Sequence, residues 1–250
     1  MVAEKWSLSP AFVVKQPSFA ESLAHDIELL PASVAQHPVF GACDSPQMVA
    51  LLVRSLEHST CCFPSYLAFG AVHAPNDEIR STIISQLNDE LGNGRWAEDG
   101  HANLLKTMVN GLNRELGELV PQDVLTAPGS PAHTLKKVFD QGYLNPDNLR
   151  MLGAFMVAEA LAKHFDIALL GAINRHVANG SLHLSPNELR WIRLHAELEV
   201  EHEGEVLAMC RSLKELDGRA VQRVRAGAED FFRGFCAFLD ALCKSYAHSV

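Results

Sequence analysis

In the stretch LHAELEVEHEGEVL, residues 194–207, two histidines and five glutamates stand in a segment that otherwise reads as helix. An α-helix turns about 100° per residue, so positions i, i+4 and i+7 share a face. His195, Glu199 and His202 hold that relation. Trp191, Leu198, Val206 and Met209 lie along the same stripe, which makes it the core-facing side. Glu197, Glu201 and Glu205, with Arg193, fall mostly on the opposite side, where solvation explains them. One carboxylate and two imidazoles therefore look inward.

Three further residues repeat the pattern. MLGAFMVAEALAKHF is apolar on almost every side, as a fully buried helix is, and carries Glu159 in its middle. An ionised carboxylate buried alone costs several kcal/mol, so it must be paired, protonated or bound to a cation. Pairing with Lys163 at i+4 is the plain structural alternative. Glu90 falls on the stripe Ile79, Ile83, Ile84, Leu87 and Leu91, and His101 shares one with Leu105, Met108 and Leu112. A lone histidine on such a stripe is more often a hydrogen-bonded core residue than a ligand. The set is more telling than any member: Glu90, His101, Glu159, His195, Glu199 and His202 make three carboxylates and three imidazoles on four helices. Oxygen and nitrogen ligands without thiolates suit iron or manganese, and mixed Glu/His sets on facing helices build dinuclear carboxylate sites. A zinc site would be smaller, with four ligands.

These residues need helices to position them, and nearly every segment reads as one. Amphipathic runs are expected from Phe19 to about Leu30, from Ser45–Pro46 to about Ala74 with a kink or break at Pro64, and from Asn76 or Asp77 to a stop at Gly92. Others are expected from about Glu98 to Glu118, Pro131 to Asp140, Asn145 to Val177, Ser185 to about Leu216, and Arg219 to about Ala247. No segment shows the period-two alternation of a strand. Glu90 and His101 would lie roughly 16 Å apart on one straight helix, but LGNGRWAEDG between them can loop back. Glu98 is the rival to Glu90, since it makes Glu-x-x-His with His101. It stands in a polar run beside Asp99, which favours Glu90.

The chain has 250 residues, 48% hydrophobic and 20% charged, enough for one large domain with a substantial core. The reading is therefore an all-α single domain over 1–250, its ligand-bearing core about 45–247. The net charge of -9 argues against a nucleic-acid partner, and no stretch reaches membrane-spanning length. The first residues do not read as a signal peptide, and six cysteines show no CxxC pair, so reduced thiols and a cytoplasmic location are expected.

From about Phe63 to Tyr246 the chain resembles the heme-oxygenase-like diiron oxidases, or iron-containing redox enzymes. The resemblance rests on NDELGNG followed by His101, on MVAEALA carrying Glu159, and on His-x3-(Asp/Glu)-x2-His at His195, Glu199 and His202. LHAELEVEH and the late CKSY also look like a member that forms a terminal alkene from a medium-chain fatty acid. The resemblance implies a seven-helix bundle without heme and two irons per chain held by these six residues, Glu159 bridging. It implies O2 and a small-molecule substrate as reactants, an external reductant, and leaves a homodimer open. Two departures stand out: Glu199 replaces the usual Asp, and TCCFPSYLAF (60–69) lacks the extra Glu of N-oxygenating members, Glu57 being a poor substitute. The second iron is accordingly expected to bind weakly. The implied activity is hydrogen abstraction from a small amino-acid-derived or fatty-acid carboxylate, with cleavage or desaturation, in natural-product biosynthesis. Two alternatives are a cofactor-independent enzyme of the thiaminase or pyrroloquinoline-quinone-oxidase type, with Cys210 as a candidate nucleophile, and a non-catalytic iron-binding bundle. Cys61 and Cys62, beside Phe63, Tyr66 and Phe69, read as pocket-lining or, more simply, as small buried residues. His164 and Asp166, past Glu159 on the same helix, read as supporting the ligands from behind or, more simply, as an exposed face.

Overall fold

The computed structural model describes residues 19–117, 127–213 and 217–247, with backbone only for 19, 20 and 199–201. The described residues form helices and turns, with no strand among them. The helices are α1 (Phe19–Ala32), α2 (Pro38–Ala42), α3 (Pro46–His73), α4 (Asp77–Glu90), α5 (Trp96–Asp99), α6 (His101–Leu116), α7 (Pro131–Tyr143), α8 (Asn148–Ala178), α9 (Arg190–Ser212) and α10 (Gly218–Ala247); a 3-10 turn spans Ser33–Gln36.

Most starts follow from local chemistry. Ser45 caps α3 by accepting from Gln47 N at 3.2 Å, with Pro46 behind it. Asn76 Oδ1 accepts from Ile79 N at 2.8 Å to open α4, and Ser130 Oγ accepts from His133 N at 3.1 Å to open α7. Asp147 accepts from Leu149 N and Arg150 N to open α8. Each such cap contributes about 1 kcal/mol by satisfying an N–H the helix leaves open.

Besides shifts of up to three residues at other ends, three features differ from the expectation. Helix α3 runs through Pro64 without a break, its packing outweighing the hydrogen bond that proline removes. The segment expected from Glu98 divides into α5 and α6 at Gly100, so Glu98 and His101 stand on different helices. Helix α9 starts at Arg190 rather than Ser185. Residues 186–189 stay a turn, because Glu188 folds back on Ser185 N at 2.7 Å while Arg114 of α6 binds the same carboxylate.

Helix α8 is central, with every residue from Met151 to Leu161 buried. It packs most extensively on α10 and then on α9, while α3 joins α4, α6 and α7. At the α8–α10 contact a Cβ on Gly153 would meet Val224 O at 1.8 Å, and one on Gly227 would meet Arg150 O at 1.9 Å. The two backbones touch there, a separation only glycine permits. Helices α3, α4, α6, α7, α8, α9 and α10 form the seven-helix bundle, and α1, as long as α4, lies against α8, α9 and α10.

Candidate metal centre

Glu90 is the last residue of α4 and His101 the first of α6. Between them the chain reverses through Gly92, Asn93 and Gly94, all with positive φ. Gly92 has φ 71°, and a Cβ there would lie 2.6 Å from Gly100 N, so its missing side chain lets the turn close against the start of α6. Asp99, buried in this loop, is held by Arg95 and by Arg190 at the start of α9. That linkage ties the loop to the helix carrying His195.

The closure brings His101 Nδ1 to 2.9 Å from Glu90 Oε1. The His101 and His195 rings lie 4.4 Å apart between centroids. Glu90, His101 and His195 each offer a ligand atom, all within 4.8 Å of one another, and all three residues are buried. His195 Nδ1 lies 3.0 Å from Trp191 O. A carbonyl only accepts, so Nδ1 carries the proton and Nε2 keeps its lone pair, the arrangement of a metal-binding histidine. Burial, and next the neighbouring His101, hold the His195 pKa well below its ordinary range, so the ring is neutral.

A second imidazole–carboxylate pair adjoins the first. His202 Nδ1 lies 3.3 Å from Glu159 Oε2, and its Nε2 is 3.8 Å from Asp89 Oδ2. Burial pushes the Glu159 carboxyl up; His202 opposes this, and the negative charges of Glu90 and Glu205 reinforce it. Five of the six sequence-selected residues thus gather where α4, α6, α8 and α9 meet. Glu199 lies on α9 between His195 and His202, and its side chain falls outside the described residues. Glu98 is exposed.

The residues present fit a metal on the structure's own terms. Glu90 Oε2 is buried with no hydrogen-bond partner, beside two imidazoles and close enough to Glu159 for their charges to interact. Such an atom is costly without a proton or a cation. The donors are oxygen and nitrogen, which suits iron.

A cavity of about 110 Å³ opens beside this cluster, and Glu90, Glu159, His195 and Trp191 line it. Its remaining wall is largely apolar, with Phe63 from α3, Phe139 from α7, Phe165 from α8 and Phe231 and Phe235 from α10. Ser59 and Thr60 accompany Phe63 on the α3 wall. Cys61 is exposed and Cys62 half-buried, and neither lines the cavity, whereas Phe63 does. Tyr66 turns to Asp140 at 2.5 Å.

Several neighbours correct the sequence reading. Ile84 and Leu91 are exposed, and the buried face of α4 is Ile79, Ile83, Gln86 and Glu90. Gln86 donates from Nε2 to Glu205 Oε2 at 3.1 Å. Glu205 therefore belongs to the polar cluster and not to a solvated face. Asp166 is buried and lines the cavity rather than an exposed face. Its position seven residues after Glu159 was a signal available in the sequence; Gln86, four before Glu90, was another.

A family model for iron-containing redox enzymes matches residues 51–234 of this chain. The chain belongs to that family. The matched span includes five of the seven bundle helices whole and all six selected residues. Similar solved structures include a TenA homologue from Pseudomonas syringae pv. tomato str. DC3000, at 16% identity and TM-score 0.70, covering 91% of this chain and 93% of that one. A CADD-like protein of unknown function from Nostoc punctiforme PCC 73102 is similar at 14% identity and TM-score 0.65, covering 91% and 96%. A domain of unknown function with a heme-oxygenase-like fold from Shewanella denitrificans OS217 is similar at 15% identity and TM-score 0.61, covering 91% and 90%. These likenesses establish the heme-oxygenase-like fold of this family member. No match is found among curated protein sequences. Among the described residues, no helix is long and apolar enough to cross a membrane.

Proposed function

We propose that this iron-containing redox enzyme is an O2-activating non-heme diiron oxidase. It would abstract hydrogen from a small amino-acid-derived or fatty-acid carboxylate, with cleavage or desaturation, in natural-product biosynthesis. The observation that carries this reading is the buried Glu90–His101–His195 cluster, whose unpartnered Glu90 Oε2 lies beside a cavity with mostly apolar walls. The six residues that would hold two irons are Glu90, His101, Glu159, His195, Glu199 and His202. When bound, the iron pair supplies electrons to O2 and a means of breaking an unactivated C–H bond.

The chain's own residues prepare that chemistry. Trp191 fixes His195 twice, by its carbonyl on Nδ1 and by its indole packed 4.6 Å from the ring. Glu159 links the two pairs, contacting His202 in its own and sensing the charge of Glu90 in the other. Gln86 holds Glu205 at the edge of the cluster. Phenylalanines on four helices keep water from a substrate carbon beside the centre. An external reductant completes the electron balance where the substrate supplies too few.

The likeness to a TenA homologue supports a second reading, a cofactor-independent enzyme on the same fold. Cys210 does not serve it: the thiol is buried against Met156 Sδ at 3.8 Å, and burial pushes its pKa up to about 12. Anaerobic titration with ferrous iron, followed by O2 mixing over a panel of amino and fatty acids, tests the proposal. Two irons per chain and substrate-dependent O2 uptake are expected. No iron uptake would return the cofactor-independent reading, and uptake with no O2 consumption the non-catalytic one.

A further inference from the structure

His202 has a carboxylate on each side of its ring. Nδ1 lies 3.3 Å from Glu159 Oε2, and Nε2 lies 3.8 Å from Asp89 Oδ2. The two acids occupy different places. Glu159 is 4% exposed and lines the cavity with Glu90 and His195, whereas Asp89 is not among the lining residues and its side chain is 28% exposed. Glu159 therefore stands on the cluster side of the imidazole and Asp89 on the side turned away. Successive helix residues point about 100° apart. The end of α4 thus aims Glu90 at the cluster and Asp89 at α9, which packs on α4.

Asp89 is itself held in that direction. Its Oδ1 accepts from Asn93 Nδ2 at 3.0 Å. Asn93 is tied in turn to Asn88, whose Nδ2 donates to Asn93 Oδ1 and whose carbonyl accepts from Asn93 N at 2.9 Å. Asn93 has φ 52° and, among the described residues, is the one non-glycine with positive φ. Such a conformation persists where neighbours over-determine it. The turn that brings His101 to Glu90 thus also fixes Asp89 and leaves Oδ2 for His202. His195, on the same helix, has a matching arrangement: Trp191 O accepts from the ring nitrogen turned away from the cluster. A histidine that ligates a metal through one nitrogen is held, and made a better donor to the metal, by an acceptor on the other. Oδ2 has to move by about 1 Å to turn the present contact into a hydrogen bond, a small shift for a part-exposed side chain.

We propose that Asp89 is the positioning residue of His202: its Oδ2 accepts from Nε2–H, so that Nδ1 keeps its lone pair for the second iron. This rests on the diiron reading and deepens it, adding an acid outside the six-residue set. It acts on the ion that the missing carboxylate of α3 leaves less well held. A partner that orients a ligand in this way strengthens metal binding about 10–100-fold.

The test is anaerobic calorimetric titration of the metal-free chain with ferrous iron, melting of each metal-free variant confirming that it is folded. Wild type should show a tight and a weaker site, and His202→Ala identifies which of them depends on that ring. Asp89→Ala should weaken the His202-dependent site by roughly tenfold to a hundredfold and leave the other unchanged. Asp89→Asn keeps an acceptor oxygen without the charge and should fall between. Asn93→Gly takes up positive φ freely but drops the bond that aims Asp89, so it should weaken the same site severalfold. With two irons on wild type, the inference is overturned if Asp89→Ala leaves that site unchanged, or weakens both sites alike as a disturbance of Glu90 would. It is also overturned if Asp89→Asn removes the ion as completely as Asp89→Ala does, which would make Asp89 a ligand, or if Asn93→Gly has no effect. A wild type that holds fewer than two irons overturns the diiron reading before any variant is compared, and this inference with it.

Discussion

Glu159 offers the sharpest test of whether the buried acids serve metal or structure. It lies in the fully buried run Met151–Leu161 and is 4% exposed. Its near partner is His202 Nδ1 at 3.3 Å, while the charges of Glu90 and Glu205 oppose it. Burying a carboxylate costs several kcal/mol before any partner is counted, and one contact shared with two like charges offsets only part of that. Glutamine has the same shape and keeps an oxygen that can accept from His202. Glu159→Gln should therefore stabilise the metal-free protein at pH 8 by about 1–2 kcal/mol. For a chain of this size that raises Tm by about 3–6 °C. Under anaerobic ferrous loading the order should reverse, because iron stabilises only the state that binds it, and iron content should fall from two to one or fewer. Calorimetric melts with and without iron, plus elemental analysis, measure both arms. A variant that melts at or below wild type when metal-free, yet holds the same iron, would show that Glu159 is the structural partner of His202.

Other perturbations probe the scaffold. Phe231 lines both the cavity and a neighbouring cleft of about 470 Å³. Phe231→Ala should join them, costing about 3–5 kcal/mol in denaturant unfolding. Gly92→Ala should destabilise the fold by more than about 1 kcal/mol, since alanine resists positive φ. It should also weaken ferrous binding by displacing His101, and iron titration of the refolded variant checks this. Arg114 holds the Glu188 carboxyl down to about 2. A depressed carboxyl adds stability above its unfolded value of about 4.5 that is lost as pH falls towards 2. Glu188→Gln should flatten that part of the acid unfolding curve and fray the start of α9, read by hydrogen exchange at residues 190–194.

Periodicity alone made most of this protein legible. Start signals at Ser45–Pro46 and at Asn76 or Asp77, and the apolar stripes along each segment, marked the helices. The apolar surround of Glu159, and the i, i+4, i+7 relation of His195, Glu199 and His202, picked out inward polar residues, because a helix's repeat determines which side chains share a face. That repeat says nothing of what the face meets. The choice of Glu90 rested partly on Ile84 and Leu91, which turned out exposed, and the true neighbour on that face was Gln86. Glu205 looked solvated because only α4, packed beside α9, makes its side inward. Asp166 looked exposed because Lys163 and His164 stand just before it, while phenylalanines of α10 line the same cavity from elsewhere in the chain. Pairing was a matter of packing too. His101 meets Glu90 because a turn at Gly92 closes without a Cβ, and α8 meets α10 closely because Gly153 and Gly227 let their backbones touch. Direction about an axis is a local property of the chain; distance between axes is set by how side chains from remote segments fill the space between them.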